Sequence, residues 1–444
     1  MNNHPIHSRR SVLKLLGTTA AGAPFVTSNL MANPPSQKLR HACFGMGGMA
    51  ESDLAHISNC KNVEIAAFCD VDLAKAAPAR QKFPNARFYQ DWREMLEKEA
   101  DKIDSVNVST PDHMHAPMGV SAMALGKHIY GQKPLAHSLH EVRRMTELAK
   151  EKKVVTQMGI QIHSTAYYRM AAQVIQAGAI GKVKEVHTWS SKTWGDPAPM
   201  PEKEDPVPEG FDWDKWLGVR DKRPYIGGSY YHPENWRKRL DFGTGTLGDM
   251  GCHIMDPIFE SLKLNAPVSV RSEGPAPNAT NWAIDGKVIY SFARTPLTEG
   301  DTINVTWYDG AARPPAEVVA LLEGKEFPDQ GSIFIGTGGV MVLPHVSRLQ
   351  LFPIEKFKDY KLPRVEGESH WMQFIEACRG NGKTSTDFSY AGPLTEAILL
   401  GGIASRFPNT TLKWDSPGLK FDLAEANRFV RKEYREGWKI PQLG

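Results

Sequence analysis

The sequence predicts an α/β protein of two domains: a parallel sheet covered on both faces by helices, then an α/β domain with a large open, mostly antiparallel sheet. Three observations point there. Apolar runs alternate with helical patterns from Leu39 to Met158, a glycine-rich turn joins the first strand to the first helix, and β-branched segments without intervening helices dominate the later chain. At 444 residues the chain exceeds one typical core, which agrees with two domains. The net charge of +3 is dispersed and no basic block is interleaved with aromatics, so no nucleic-acid partner is expected. Cys43, Cys60, Cys69, Cys252 and Cys378 form no CxxC pair and sit mostly in apolar runs, so neither a disulfide framework nor a metal site is expected.

Residues 1–36 read as an export signal and linker. Arg9 and Arg10 precede a weakly apolar segment from Leu13 to Val26, too short and too rich in small residues to span a bilayer comfortably. The paired arginines followed by Ser-Val-Leu-Lys resemble the twin-arginine type, which makes the twin-arginine export machinery an expected partner and the periplasm the expected location. A disordered basic tail is the plainer alternative. Ala21-Gly22-Ala23 runs into Pro24, a poor residue after a cut, so a retained signal anchoring the protein to the membrane stays open.

The first domain is expected over residues 37–160, with strands at 39–44, 63–69, 105–108, 128–130 and 154–158 and helices at 49–57, 73–83, 114–125 and 139–152. The second is expected over 161–444. It opens with a helix over 167–177 and a strand over 183–194, then a proline- and aromatic-rich region ending near Trp236. Strands over 268–273, 287–293, 302–308 and 332–343 follow, and two late helices, "HWMQFIEACRG" and "LTEAILLGGIASRF", pack back on the body.

The turn Gly45-Met46-Gly47-Gly48-Met49 stands where a dinucleotide pyrophosphate would meet the free N–H groups of a helix start, and Ala50 takes the place of the third small residue of that fingerprint. Asp70 ends the second strand at the matching distance. Its carboxylate suits the ribose hydroxyls of NAD and would repel the 2′-phosphate of NADP, the alternative being a helix N-cap. At the ends of the next two strands, Ser109, Thr110, Asp112, His115, Gln132 and Lys133 face the same crevice, and Gln161 joins them just past the last strand. Thr110-Pro111-Asp112 also reads as an ordinary turn, and Lys133 as an ordinary snorkelling lysine. A lysine between an apolar strand and Pro134 can instead hydrogen-bond a substrate hydroxyl and stabilise a developing alkoxide. Asp249 and His253, four apart on a helix expected to start after Gly248, share one face that Asp256 would extend. There a carboxylate would orient an imidazole and support its protonated form, as a general base requires; as a metal pair they lack further ligands.

In this order and on these elements, the glycine turn, Asp70, Thr110-Pro111, Lys133-Pro134 and the Asp249/His253 pair resemble the glucose-fructose oxidoreductase and inositol dehydrogenase (Gfo/Idh/MocA) family, from Leu39 to the closing "TTLKWD". The resemblance implies a Rossmann domain and an α/β domain whose open sheet is used for homo-oligomerisation. It also implies bound NAD, a carbohydrate or cyclitol substrate, and Lys133, Asp249 and His253 as the catalytic group, with His253 as base. Gln132 departs from the family's usual glutamate; it is expected to touch the cofactor as a neutral group. Trp194, Tyr231, His232, Trp236 and Arg237 are the expected sugar contacts, although clustered aromatics also build cores. Export with bound cofactor implies that each hydride taken is returned in place. The expected activity is a sugar oxidoreductase; a redox-neutral NAD-dependent glycoside hydrolase and a non-catalytic sugar- or cofactor-binding protein are the alternatives.

Overall fold

In the computed structural model, which describes residues 38–444, β1 (Leu39–Phe44), β2 (Val63–Cys69), β3 (Arg87–Tyr89), β4 (Ser105–Val108), β5 (His128–Gly131) and β6 (Thr156–Met158) form a wholly parallel sheet. The proposed signal lies outside the described residues. Strand order is β3-β2-β1-β4-β5-β6, so the chain reverses direction across the sheet between β1 and β4 and opens a crevice at the strands' carboxyl ends. Helices α1 (Met49–Ser58), α2 (Leu73–Lys82), α3 (Trp92–Glu99), α4 (His115–Ala124) and α5 (Leu139–Lys152) complete the domain. The three-residue β3 was not anticipated because it is a partly exposed edge strand without an apolar run. On α1, Ala50, Asp53, Leu54 and Ile57 are buried, the spacing of one helical face. Asp72, not Asp70, caps α2, accepting from the N–H groups of Ala74 and Lys75.

The second domain contains α6 (Ala166–Gln176), β7 (Val183–Ser190), α7 (Trp213–Leu217), α8 (Gly245–Ile254), α9 (Asp256–Leu262), β8 (Ser269–Ser272), β9 (Lys287–Ala293) and β10 (Thr302–Asp309). It continues through α10 (Ala316–Ala320), β11 (Gly331–Gly336), β12 (Val340–Pro344), β13 (Gln350–Phe352), α11 (Ile354–Phe357), α12 (His370–Cys378), α13 (Phe388–Ala404), β14 (Thr411–Asp415) and β15 (Lys420–Phe421). Its strand order is β13-β12-β11-β7-β10-β9-β8-β14-β15, and β7 with β10 is the parallel pair in an otherwise antiparallel ladder. The stretch expected as one strand over 332–343 is a hairpin instead. It turns through Gly338-Gly339, where a Cβ on Gly339 would press on the Phe357 ring at 2.6 Å.

Helix α8 begins at Gly245, four residues before the expected start, and ends at Ile254. Pro257, with no amide hydrogen, starts a new helix, so Asp256 leaves the Asp249/His253 stripe. Asp256 meets His163 Nδ1 at 2.9 Å and accepts from the Tyr390 hydroxyl at 2.7 Å. The late helices pack back as expected: α12 lies against α1, and α13 against α5 and α8.

Candidate functional site

A cavity of about 430 Å³ runs along the crevice from Gly45, Gly47, Gly48 and Asp70 to Lys133, Asp249 and His253. Gly45 has φ +89°, and a Cβ there would collide with the carbonyl oxygen of Ser109. Gly48, φ +61°, has open space where its Cβ would stand, and no side chain caps the start of α1. An uncapped helix start behind bare glycines is what a pyrophosphate requires. Asp70 ties this turn to the end of β2: Oδ2 accepts from Met46 N–H at 2.7 Å and Oδ1 from Asp72 N–H at 2.8 Å. Burial pushes the Asp70 carboxyl up to about 6, against the pull of those two N–H groups.

At the far end, the Lys133 ammonium donates to the Asp249 carbonyl at 2.6 Å and to its Oδ1 at 2.8 Å. Arg237 Nε donates to the same Oδ1 at 3.1 Å, its guanidinium lying over the Trp236 ring at 4.4 Å and the Trp194 ring at 5.4 Å. Burial opposes ionisation of Asp249, but Lys133 and Arg237 outweigh it and hold the carboxyl well below its usual range. Burial, reinforced by the Lys133 charge, pushes His253 well below the usual imidazole value, so its ring is neutral. Its buried Nδ1 has no hydrogen-bond partner among the described residues, and the ring of His345 stands 6.1 Å away.

Two family models match the chain: an oxidoreductase family's NAD-binding Rossmann fold over residues 39–160, and the same family's C-terminal alpha/beta domain over 180–440. The chain belongs to the Gfo/Idh/MocA oxidoreductase family. Its first domain is therefore an NAD-binding Rossmann domain, and the glycine turn, Asp70 and the uncapped α1 are its fitting features. A levoglucosan dehydrogenase from Pseudarthrobacter phenanthrenivorans is 26% identical over 194 residues, covering 44% of this chain and 40% of that protein. An alpha-N-acetylgalactosaminidase from Shewanella oneidensis is 28% identical over 210 residues, covering 40% and 45%. The match thus spans less than half the length of either relative. The WlbA dehydrogenase of Bordetella pertussis, solved with NADH and UDP-GlcNAcA, shares the fold at TM-score 0.60 and 15% identity, covering 85% of this chain and 98% of that one.

Within this Gfo/Idh/MocA site, Gly45, Gly47, Gly48, Met49, Asp70, Ser109, Thr110, Asp112, His115, Gln132, Lys133 and Gln161 all line the cavity, as do His232, Trp236 and Arg237. Several expectations need correction. Met46 contributes its backbone N–H, while its side chain is buried away from the cavity. His115, which lines the cavity, has its ring fixed between two backbone carbonyls, Nδ1 at 2.7 Å from that of Pro134 and Nε2 at 2.7 Å from that of Thr110. Gln132 gives its Nε2 to Asp53 at 2.8 Å. No hydrogen bond joins Asp249 to His253; Asp249 Oδ1 accepts from Lys133 and Arg237 instead. Tyr231 is 2% exposed inside an aromatic core with Trp213, Trp216 and Phe242, and Trp194 lies behind Arg237, outside the cavity lining.

His232 reaches the other end of the site, with Nε2 at 3.1 Å from Asp72 Oδ2. It belongs to a segment of the family's second domain that crosses over the first. Leu73 N–H donates to the Gly210 carbonyl at 3.1 Å and Asp212 N–H to the Val71 carbonyl at 2.9 Å, a short ladder that brings Lys215, Trp216, His232 and Pro233 over the Asp70 end of the cavity. Composition could not separate this strap from a sugar platform, because the pairing joins residues far apart in sequence.

Proposed function

We propose that this family member is an NAD-dependent oxidoreductase acting on a hydroxyl of a sugar, glycoside or cyclitol, with the cofactor held tightly. The observation that carries the reading is the Lys133 ammonium: an ammonium has three donors, and two are used on Asp249. The third suits a substrate oxygen. When bound, the nicotinamide supplies the hydride acceptor and donor. Asp249 keeps Lys133 and Arg237 in place; Lys133 polarises the substrate hydroxyl and stabilises the alkoxide character that develops there; neutral His253 takes the proton. Arg237, braced by Trp236, is the neighbouring group suited to a second sugar hydroxyl. The levoglucosan dehydrogenase relative and the sugar-nucleotide-bound WlbA fold neighbour support the carbohydrate class.

The Shewanella alpha-N-acetylgalactosaminidase favours a second reading, hydrolysis of a glycoside by transient oxidation, elimination and return of the hydride. The Arg9-Arg10 pattern supports export with the cofactor already in place, and the open second-domain sheet supports a homo-oligomer. The deciding experiment challenges the purified full chain with free sugars, cyclitols and aryl glycosides while following nicotinamide absorbance and product structure. Lasting reduced-cofactor absorbance supports the oxidoreductase; free aglycone without net reduction supports the hydrolase; neither, with NAD bound, removes both.

A further inference from the structure

Asp53 is 0% exposed, one turn into the helix that starts at the glycine turn. Its Oδ2 accepts from Ser109 Oγ at 2.7 Å and from Gln132 Nε2 at 2.8 Å, and its Oδ1 from Trp371 Nε1 at 2.9 Å. These are three neutral donors: burial pushes the Asp53 carboxyl up, and the hydrogen bonds from Trp371, Ser109 and Gln132, with His56 nearby, oppose that rise, no lysine or arginine taking part. The indole N–H of Trp371 can only donate, and the Ser109 hydroxyl, which accepts from Asn107 Nδ2 at 2.8 Å, points its own proton at Asp53. With the Gln132 amide donating as well, Asp53 is surrounded by donors.

Each partner leads to a different wall of the cofactor site. The Ser109 carbonyl is the atom against which Gly45 is packed, so that only a glycine fits. Gln132 precedes Lys133, and its amide lies on Gly159, where a Cβ would come within 2.7 Å of Nε2. Trp371 arrives from α12 of the second domain and stacks on His56 of α1 with ring centroids 3.9 Å apart. Asp53 thus joins the glycine-turn helix, the ends of β4 and β5 and the second domain. A glutamate at 132 would set two carboxylates in contact with no cation between them, which explains why the residue before Lys133 is uncharged.

We propose that Asp53 and Gln132 work as one charge-matched pair: Asp53 carries the buried negative charge beneath the NAD site and positions the Gln132–Lys133 turn against the glycine turn. Asp53 does not line the cavity, so it is a positioning residue rather than a catalytic one. The inference stands whichever sugar chemistry the site performs.

The test uses the full chain as Asp53→Asn, Gln132→Glu and the double exchange Asp53→Asn/Gln132→Glu. NAD retained per chain is counted after purification, and affinity for added NADH is read by nicotinamide fluorescence from pH 6 to 9. Gln132→Glu is expected to bind NADH about tenfold or more weakly. Its affinity should fall further as pH rises, because two touching carboxyls share a proton at low pH and repel once it leaves. Asp53→Asn forces the Gln132 amide to turn and is also expected to weaken binding. The double exchange restores one carboxylate facing one amide, so affinity should return to within about threefold of the parent with a flat pH profile. Unchanged NADH affinity in Gln132→Glu, or a double exchange no better than Gln132→Glu, would overturn the pairing. If Gln132→Glu does not fold, a double exchange that folds and binds NADH supports the pair, and one that fails in the same way overturns it.

Discussion

Replacing Asp70 with asparagine isolates the carboxylate that shapes the glycine turn and that, on the proposed reading, would face the ribose. The asparagine oxygen can accept from only one of the Met46 and Asp72 N–H groups, now bonded at 2.7 and 2.8 Å, and its NH₂ is turned toward the other. A buried donor facing a donor costs about 1–3 kcal/mol. Since the turn must be formed to bind cofactor, that is about 5- to 150-fold in NADH affinity. The charge adds a pH signature. Ionised Asp70 is the form that accepts the ribose hydroxyls, and burial has pushed its carboxyl up to about 6. NADH affinity should therefore hold at pH 8 and fall about tenfold by pH 5 as the group protonates. Burial pushes His232, beside Asp72, below its usual value, against the pull of the Asp72 carboxylate. Fluorescence titration of the cofactor-depleted full chain with NADH and NADPH checks all of this. Asp70→Asn should bind NADH weakly, with a flat profile, and should lose most of its preference over NADPH. A parent affinity equal at pH 5 and pH 8, or an Asp70→Asn variant that binds NADH as tightly as the parent, would refute the ribose assignment.

Lys133→Met removes both hydrogen bonds to Asp249 and the donor left for substrate, and should lower turnover on whichever sugar is accepted by at least about 100-fold while NAD is still retained per chain. Retention of more than a tenth of the rate would contradict its role. His232→Ala removes the side-chain tie between the crossing segment and Asp72, and NADH displaced by excess NAD should leave about 2- to 10-fold faster; an unchanged release rate would show that the tie does not hold the cofactor.

The first domain was legible because its signals are local: apolar strand runs, helical periods between them, and a turn whose glycines the backbone requires. That Lys133, Asp249 and His253 meet in one cavity was legible for the same reason, since strand ends and an i, i+4 pair locate residues without tertiary knowledge. Their internal wiring was not. Asp249 sits four residues from His253 yet bonds Lys133, 116 positions away, and Arg237. Tyr231 and Trp194 show the complementary failure, because an aromatic ring in sequence carries no mark of whether it faces a cavity or a neighbouring ring. Asp53 did carry a readable sign, an aspartate on the same helical face as Ala50, Leu54 and Ile57. Such a residue is buried at a cost only partners can offset, and the partners come from Ser109, Gln132 and Trp371, all remote in sequence.

The crossing segment bears on the choice between oxidoreductase and hydrolase. Its ties to Val71, Asp72 and Leu73 are backbone pairings as well as side-chain contacts, so opening the Asp70 end of the cavity breaks several interactions together. A cofactor held tightly in this way, as proposed, requires that each hydride be returned in place. Both readings satisfy that condition with the same residues: the dehydrogenase returns the hydride to a second molecule, the hydrolase to an intermediate of the first. The two therefore differ not at Lys133, Asp249 or His253 but in whether the oxidised sugar is released before the hydride returns, which places the discriminating residues among those that hold the sugar, with Arg237 the first to vary.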